Sequence, residues 1–190
     1  MTHFDEDLRH CLTVLEQGGT ILYPTDTIWG IGCDATNEAA VRRIFDIKGR
    51  DSAKSLIMLV ADEKDILQYV ANPDPSLFSL IAEAGKPTTI VFDGAIGVAP
   101  GVIHPDGSVA IRVVRDRFCR HLVKRFRKPI VSTSANFSGD PAPRNFAEVL
   151  QGIRTAVDYV VTHRQDEQAP GEPSAVIKWN GDGTTTIIRP

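Results

Sequence analysis

The sequence predicts an α/β protein: one domain built on a twisted, mixed β-sheet flanked by helices. Three observations carry that expectation. Segments with apolar residues at helical spacing interleave with short apolar runs along the chain. One run, SLIMLV at 55–60, is apolar at nearly every position, as suits a strand covered on both faces. The 190 residues are enough for a sizeable core, and no repeat, low-complexity tract or composition shift divides them.

Leu8, Cys11, Leu12 and Leu15 recur at helical spacing, and Gly18-Gly19 accept the left-handed geometry that ends such a helix. The apolar run Thr20-Ile21-Leu22-Tyr23 predicts a strand at 20–24, stopped where Pro24 removes a backbone donor. Val41, Ile44 and Phe45 predict a helix opening near Asn37 and finishing at Lys48-Gly49-Arg50, before the strand at 55–60. Asp62 is placed to cap a helix through Val70, and Pro75 suits the first turn of another over 75–85. Strands are expected at 88–92, 108–113 and 129–132, with a basic helix over 115–127 before the last. A Pro/Gly loop at 138–143 precedes a helix near 145–155, and strands at 158–161, 174–179 and 184–188 close the chain. The segment 162–173, THRQDEQAPGEP, is the one linker-like stretch.

The hydrophobic share of 42% and charged share of 24% are those of a soluble globular protein. No apolar run approaches a membrane span, and the opening MTHFDEDLRH is too acidic and polar for a secretory signal. Cys11, Cys33 and Cys119 are odd in number and far apart, which predicts reduced thiols in a cytoplasmic protein and no cysteine metal site. A net charge of -3 argues against a globally basic nucleic-acid binder. Locally the balance reverses. Arg112, Arg115, Arg117, Arg120, Lys124, Arg125, Arg127 and Lys128 face only Asp116, and both a solvated helix face and an anionic partner account for such a run.

Four stretches are candidates for chemistry. In YPTDTIWGIG at 23–32, hydroxyls flank a carboxylate before two glycine turns; this suits either an ordinary turn or a backbone brought close to a ligand. Lys48, Arg50 and Lys54 place three cations within seven residues, more than one helix dipole needs and equally suited to an anion. STSANFSG at 132–139 sets hydroxyls and an amide at a strand's C-terminal end, where open α/β sheets bind ligands. Arg112 interrupts an apolar strand and so requires a partner or a cleft. His104 reads as a loop histidine. There is no GxxxxGK[ST], no GxGxxG and no Ser-His-Asp or Cys-His set in recognisable context.

Together, YPTDTIWGIG, KGR…KSLIMLV, VAIRVV and STSANFSGDPAP closely resemble the YrdC-like family of threonylcarbamoyl-AMP synthases. The motifs run in family order from about Gly18 to Gly139, and PSAVIKW and IIR look like the family's closing strands over 158–189. The resemblance implies a single domain over 1–190 with a YrdC/RibB-like sheet. It also implies a nucleotidyltransferase activity: L-threonine, bicarbonate (or CO2) and ATP give threonylcarbamoyl-AMP and pyrophosphate, for modification of tRNA at position 37. On the matching positions, Lys48 and Arg50 would be catalytic and, with Lys54, would hold the triphosphate. Ser134, Asn136, Arg144 and Ser174 would contact ATP, while Thr25, Thr27, Arg112 and Ser132 would bind threonine. Mg²⁺ is expected with ATP, held mainly by phosphates, with no protein metal site. The implied partners are tRNA-modification proteins and tRNA or double-stranded RNA, without a membrane. Asp26, Trp29, Asp51, the GKPTTIVF run and Arg144 depart from the family's usual residues. One rival reading is a non-catalytic double-stranded-RNA module, although no aromatics interleave with the basic run. The other is the carbamoyl-transfer domain of hydrogenase-maturation proteins, which are longer chains with zinc-finger cysteines.

Overall fold

Helix α1 (His3–Glu16) buries Leu8, Cys11 and Leu15 as one stripe, and Gly18 follows at φ 76°. Helix α2 (Glu38–Lys48) starts where the Asn37 side chain accepts from the Ala40 N–H and stops at Gly49, φ 55°. Helix α3 spans Ser76–Glu83. Helix α4 (Arg117–Phe126) is capped by the Asp116 carboxylate, which accepts from the Cys119 N–H, and it buries Phe118, Leu122, Val123 and Phe126. The short α5 (Gln151–Ala156) completes the helices. These coordinates are a computed structural model that describes residues 3–49, 56–180 and 184–190. Arg50, Asp51, Lys54 and the start of the strand expected at 55–60 lie outside the described residues.

The strands are β1 (Ile21–Tyr23), β2 (Gly30–Gly32), β3 (Ile57–Val60), β4 (Thr88–Phe92), β5 (Val109–Val113), β6 (Ile130–Ser134), β7 (Tyr159–Val160), β8 (Ala175–Trp179) and β9 (Thr185–Arg189). They form one sheet in the order β7-β1-β2-β6-β3-β5-β4-β8-β9. Pairs β1/β7, β3/β5 and β4/β8 are parallel and the rest antiparallel, so the sheet is mixed as the sequence predicts. Its central strands are buried, which explains the apolar run that ends in β3.

Three elements differ from expectation. The predicted helix at 62–70 is a 3₁₀ helix, Glu63–Gln68; Asp65 turns back to accept from the Ala61 and Asp62 N–H groups, and Ile66 alone in that segment is buried. The predicted helix at 145–155 splits, because the Asn145 side chain closes a 3₁₀ turn at Phe146–Glu148 before the chain extends into α5. Strand β2 was not expected at all. It forms because glycine lets it lie against β6: a Cβ at Gly32 would stand 2.6 Å from the Val131 carbonyl oxygen and 2.7 Å from the Tyr23 ring. Pairing with β2 also carries β6 on to Ser134, two residues past its expected end.

All three cysteines are buried free thiols, and desolvation raises the pKa of each. No helix among the described residues is long and apolar enough to cross a membrane.

Candidate active site

The turn after β1 is built by Thr25. Its hydroxyl donates to the Ile28 carbonyl at 2.8 Å and accepts from the Thr27 N–H at 3.0 Å. Thr25 Oγ1 also lies 2.8 Å from Thr27 Oγ1. With its one proton on Ile28, Thr25 receives the Thr27 proton, which leaves the Thr27 oxygen as an acceptor. Thr25 is 3% exposed, whereas Thr27 is half-buried and lines a cleft. The family resemblance placed both hydroxyls on threonine; in the fold the Thr25 hydroxyl is engaged in its own turn and Thr27 lines the cleft.

The loop after β6 is tied down by Lys48. Its ammonium donates to the Ser134 carbonyl at 2.5 Å, the Asn136 carbonyl at 2.8 Å and, more weakly, Asn136 Oδ1 at 3.4 Å. The Lys48 carbonyl accepts from the Ser138 N–H at 2.8 Å. Asn136 in turn donates to the Phe137 and Asp140 carbonyls. Lys48 is 2% exposed, with its ammonium turned to the carbonyls of this loop. Asn136 shapes the same loop and leaves Ser134 at the cleft wall.

Register explains what meets in that cleft. Ser132 lies opposite Ile57, and Ile57 opposite Ala110, so Arg112, two residues along β5, shares their face of the sheet. Arg112, Ser132, Ser134, Ser174, Thr27 and Arg189 line an inner cleft of about 250 Å³, with Gly30 and Ile57 among the other walls. The Arg112 side chain is 4% exposed and pairs with Asp26 at 3.1 Å. That contact is a charge pairing off hydrogen-bond alignment, so Nε and Nη2 of Arg112 are buried without a hydrogen bond. Ser174 Oγ lies 2.8 Å from Thr89 Oγ1, and Arg189 donates to the Ser174 carbonyl at 2.9 Å and its hydroxyl at 3.3 Å. Desolvation, and then the neighbouring Arg112 charge, lowers the Arg189 pKa. Two guanidinium groups facing one small space give it an appetite for carboxylate or phosphate. Sequence reasoning missed Arg189; its signal was an arginine ending an otherwise uncharged strand, TTIIR.

An outer cleft of about 220 Å³ adjoins this one and shares Thr27 and Ile28 with it. Its walls include Thr25, Asp26, Trp29, Arg144, Arg164 and the 169–171 segment. Arg144 sits here, exposed and paired with Glu148 at 2.9 Å, rather than beside Ser134. The segment 162–173 is a strap along this cleft. The Gly171 N–H donates to the Arg144 carbonyl at 2.8 Å, and a Cβ at Gly171 would collide with the Thr27 carbonyl oxygen. Of the sequence-predicted residues, Thr27, Arg112, Ser132, Ser134 and Ser174 come together in the inner cleft, Thr25 and Arg144 line the outer one, and Lys48 and Asn136 support the loop between β6 and α5. No group of three or more His, Cys, Asp or Glu side chains suited to a metal ion occurs among the described residues.

The fold is thus a mixed α/β sheet with a cleft lined by arginine, serine and threonine, a lining suited to small anionic ligands. The sequence profile of the Sua5/YciO/YrdC family, described as "Telomere recombination", matches residues 13–190, and the chain belongs to that family. It is 33% identical over 164 residues to a threonylcarbamoyl-AMP synthase of Idiomarina loihiensis, covering 84% of this chain and 86% of that protein. A threonylcarbamoyl-AMP synthase of Halorhodospira halophila is likewise 33% identical over 159 residues, covering 83% of each. The fold superimposes on P. abyssi Sua5 complexed with L-threonine with a TM-score of 0.82 at 25% identity. That match covers 96% of this chain, which spans 53% of the longer Sua5 chain.

Proposed function

We propose that this chain is a threonylcarbamoyl-AMP synthase, a nucleotidyltransferase that makes L-threonylcarbamoyl-AMP from L-threonine, bicarbonate or CO2, and ATP for tRNA modification. The observation that carries the reading is the buried Arg112 guanidinium, facing Thr27, Ser132 and Ser134 in a cleft of amino-acid size. A fork of N–H donors at the floor suits a carboxylate, and hydroxyl groups on the wall suit a polar side chain and an amine.

In this reading Arg112, Thr27 and Ser132 hold threonine. Its amine gains CO2 and loses a proton, and the resulting carbamate oxygen attacks the α-phosphorus of ATP. A new P–O bond forms as the bond to the β-phosphate breaks, and pyrophosphate leaves with the electron pair. Charge passes from the carbamate oxygen to the phosphate oxygens and the leaving pyrophosphate, so fixed cations and positioning supply the acceleration. Arg189, Ser134 and Ser174, which line the same cleft, would meet the nucleotide, with Arg50 and Lys54 as its further cations. Lys48 and Asn136 act by shaping the loop that presents Ser134. Mg²⁺ would enter as part of the MgATP substrate, with phosphates and water supplying most of its ligands. The partners would be tRNA and the tRNA-modification proteins that take up the adenylate, in the cytoplasm.

The test is pyrophosphate release from ATP by the purified protein. Release that needs both L-threonine and bicarbonate is expected; release indifferent to either one overturns the reading.

A further inference from the structure

Helix α1 carries a buried carboxylate that takes no part in either cleft. Asp7 is 1% exposed and lies ahead of the 13–190 span that the family profile matches. Its Oδ1 accepts from the Tyr159 hydroxyl at 2.7 Å and the Thr162 N–H at 3.0 Å. Its Oδ2 accepts from the His163 N–H at 2.8 Å and the Thr162 hydroxyl at 3.0 Å. A carboxylate drawn out of water needs such donors, and all four come from β7 and the first two residues of the strap.

The strap leads directly to the cleft. Strands β1 and β7 run parallel, with Ile21 opposite Tyr159 and Leu22 opposite Val160, so both leave the sheet at the same end. From there β1 enters the Thr25–Thr27 turn and β7 enters the strap. Arg164 donates to the Thr25 carbonyl at 3.2 Å and pairs with Asp116 at 3.0 Å. At Gly171 the strap runs so close to the Thr27 carbonyl that a Cβ there would collide with it, and Pro173 and Ser174 line the inner cleft. Arg164 holds φ at 69°, a left-handed conformation that a residue with a side chain adopts only when its surroundings impose it.

The geometry points to Asp7 as a positioning residue for the substrate cleft: it clamps the root of the strap to α1, and the strap sets the turn that carries Thr27. The kinetic part of this assignment rests on the threonine-binding reading above; the structural part does not. Asp7→Asn preserves volume and one acceptor oxygen but turns an NH₂ donor toward the donors at 162–163. Amide hydrogen exchange without substrate should quicken about tenfold or more at Thr162, at His163 and, across the strap, at Gly171. The KM for L-threonine should rise about tenfold while kcat stays within about twofold, because the lesion misplaces a binding group without removing folded enzyme. Quickened exchange confined to 162–163, or an unchanged KM beside a loosened Gly171, overturns the assignment. Should Asp7→Asn not fold, Thr162→Val removes one of the four donors and is read by the same two measurements. A wild-type protein that releases no pyrophosphate with threonine would sink the functional reading instead, and the exchange result would still decide whether Asp7 holds the strap.

Discussion

Arg112 and Arg120 belong to one basic run, yet the fold gives them different surroundings. Arg112 stands on β5, between β3 and β4 in the sheet, with its side chain 4% exposed and Asp26 at 3.1 Å. Arg120 stands on α4, half exposed, and shares Asp62 with Lys124, each at 3.4 Å. The same residue type is an expensive buried charge in one place and a solvated one in the other, because the desolvation penalty follows the element and not the local sequence. The comparison also changes what the basic run means. Beside Asp116 alone it reads as either a solvated helix face or a patch for an anion. In the fold, Lys128 pairs with Asp34 at 2.7 Å, Arg115 donates to the carbonyls of Ile81 in α3 and of Ala84 just past its end, and the Arg117 guanidinium lies 5.3 Å from the Phe4 ring centroid. Much of the apparent charge is answered from distant parts of the chain.

The largest effect should come from breaking the buried member of the comparison. Arg112→Met should lower threonine-dependent pyrophosphate release by about 10² to 10³, the usual cost of losing one charge-assisted contact at such a site. It should also cost roughly 3–5 kcal/mol of stability, because Asp26 is left as an unpaired buried charge. Adding Asp26→Leu should recover much of the stability, measured by chemical denaturation, and none of the rate. Recovery of both would make the pair structural only.

Lys48 is the next most sensitive point. Lys48→Met should strip the ammonium donor from the Asn136 carbonyl at about 1–3 kcal/mol, while the Ser134 carbonyl keeps the Asn136 N–H, and turnover should fall with it as the loop shifts. A rate loss with unchanged denaturation midpoint would instead assign the ammonium to substrate alone.

A smaller contrast separates the two threonines. Thr25→Val should lower stability by about 1–3 kcal/mol through its unpaired turn groups, with both Michaelis constants affected alike. Thr27→Val should leave stability within about 0.5 kcal/mol and raise the KM for threonine more than that for ATP. Equal effects of Thr27→Val on the two substrates would return Thr27 to a structural turn.

The smallest effect should come from the exposed member. Charge reversal at Arg120, Lys124 and Arg127 together should change stability by about 1 kcal/mol, since exposed pairs contribute little, and leave pyrophosphate release within a few-fold of wild type. Any RNA binding at low salt should weaken and lose part of its salt dependence. A triple variant that is folded but inactive would bring α4 into the active site and erase the contrast.

The elements that were legible are those whose signal is local. The stripe Leu8, Cys11, Leu15, the Asn37 cap, the Gly49 stop and the apolar run ending in β3 each act within a few residues, and each appears where expected. Arg112, Ser132 and Ser134 were legible as polar residues in or at the end of apolar strands, and Thr27 and Ser174 through the family resemblance; all five share one cleft. Arg189 was not singled out, because a strand arginine near a chain's end looks solvated until β9 is paired beyond β8.

By itself the sequence determined the α/β class, the polar turns that interrupt the strands and the hydroxyl and arginine chemistry available to a cleft, since spacing and residue type set these over short distances. Only the tertiary structure decided that Gly30–Gly32 is a strand, that Thr25 bonds within its own turn while Thr27 faces the cleft, that the Lys48 ammonium donates to the loop after β6, and that Asp7 meets Thr162 across 155 positions. Those outcomes depend on which buried charges and carbonyls find partners once the sheet has chosen its order, and such pairing leaves no periodicity in the chain.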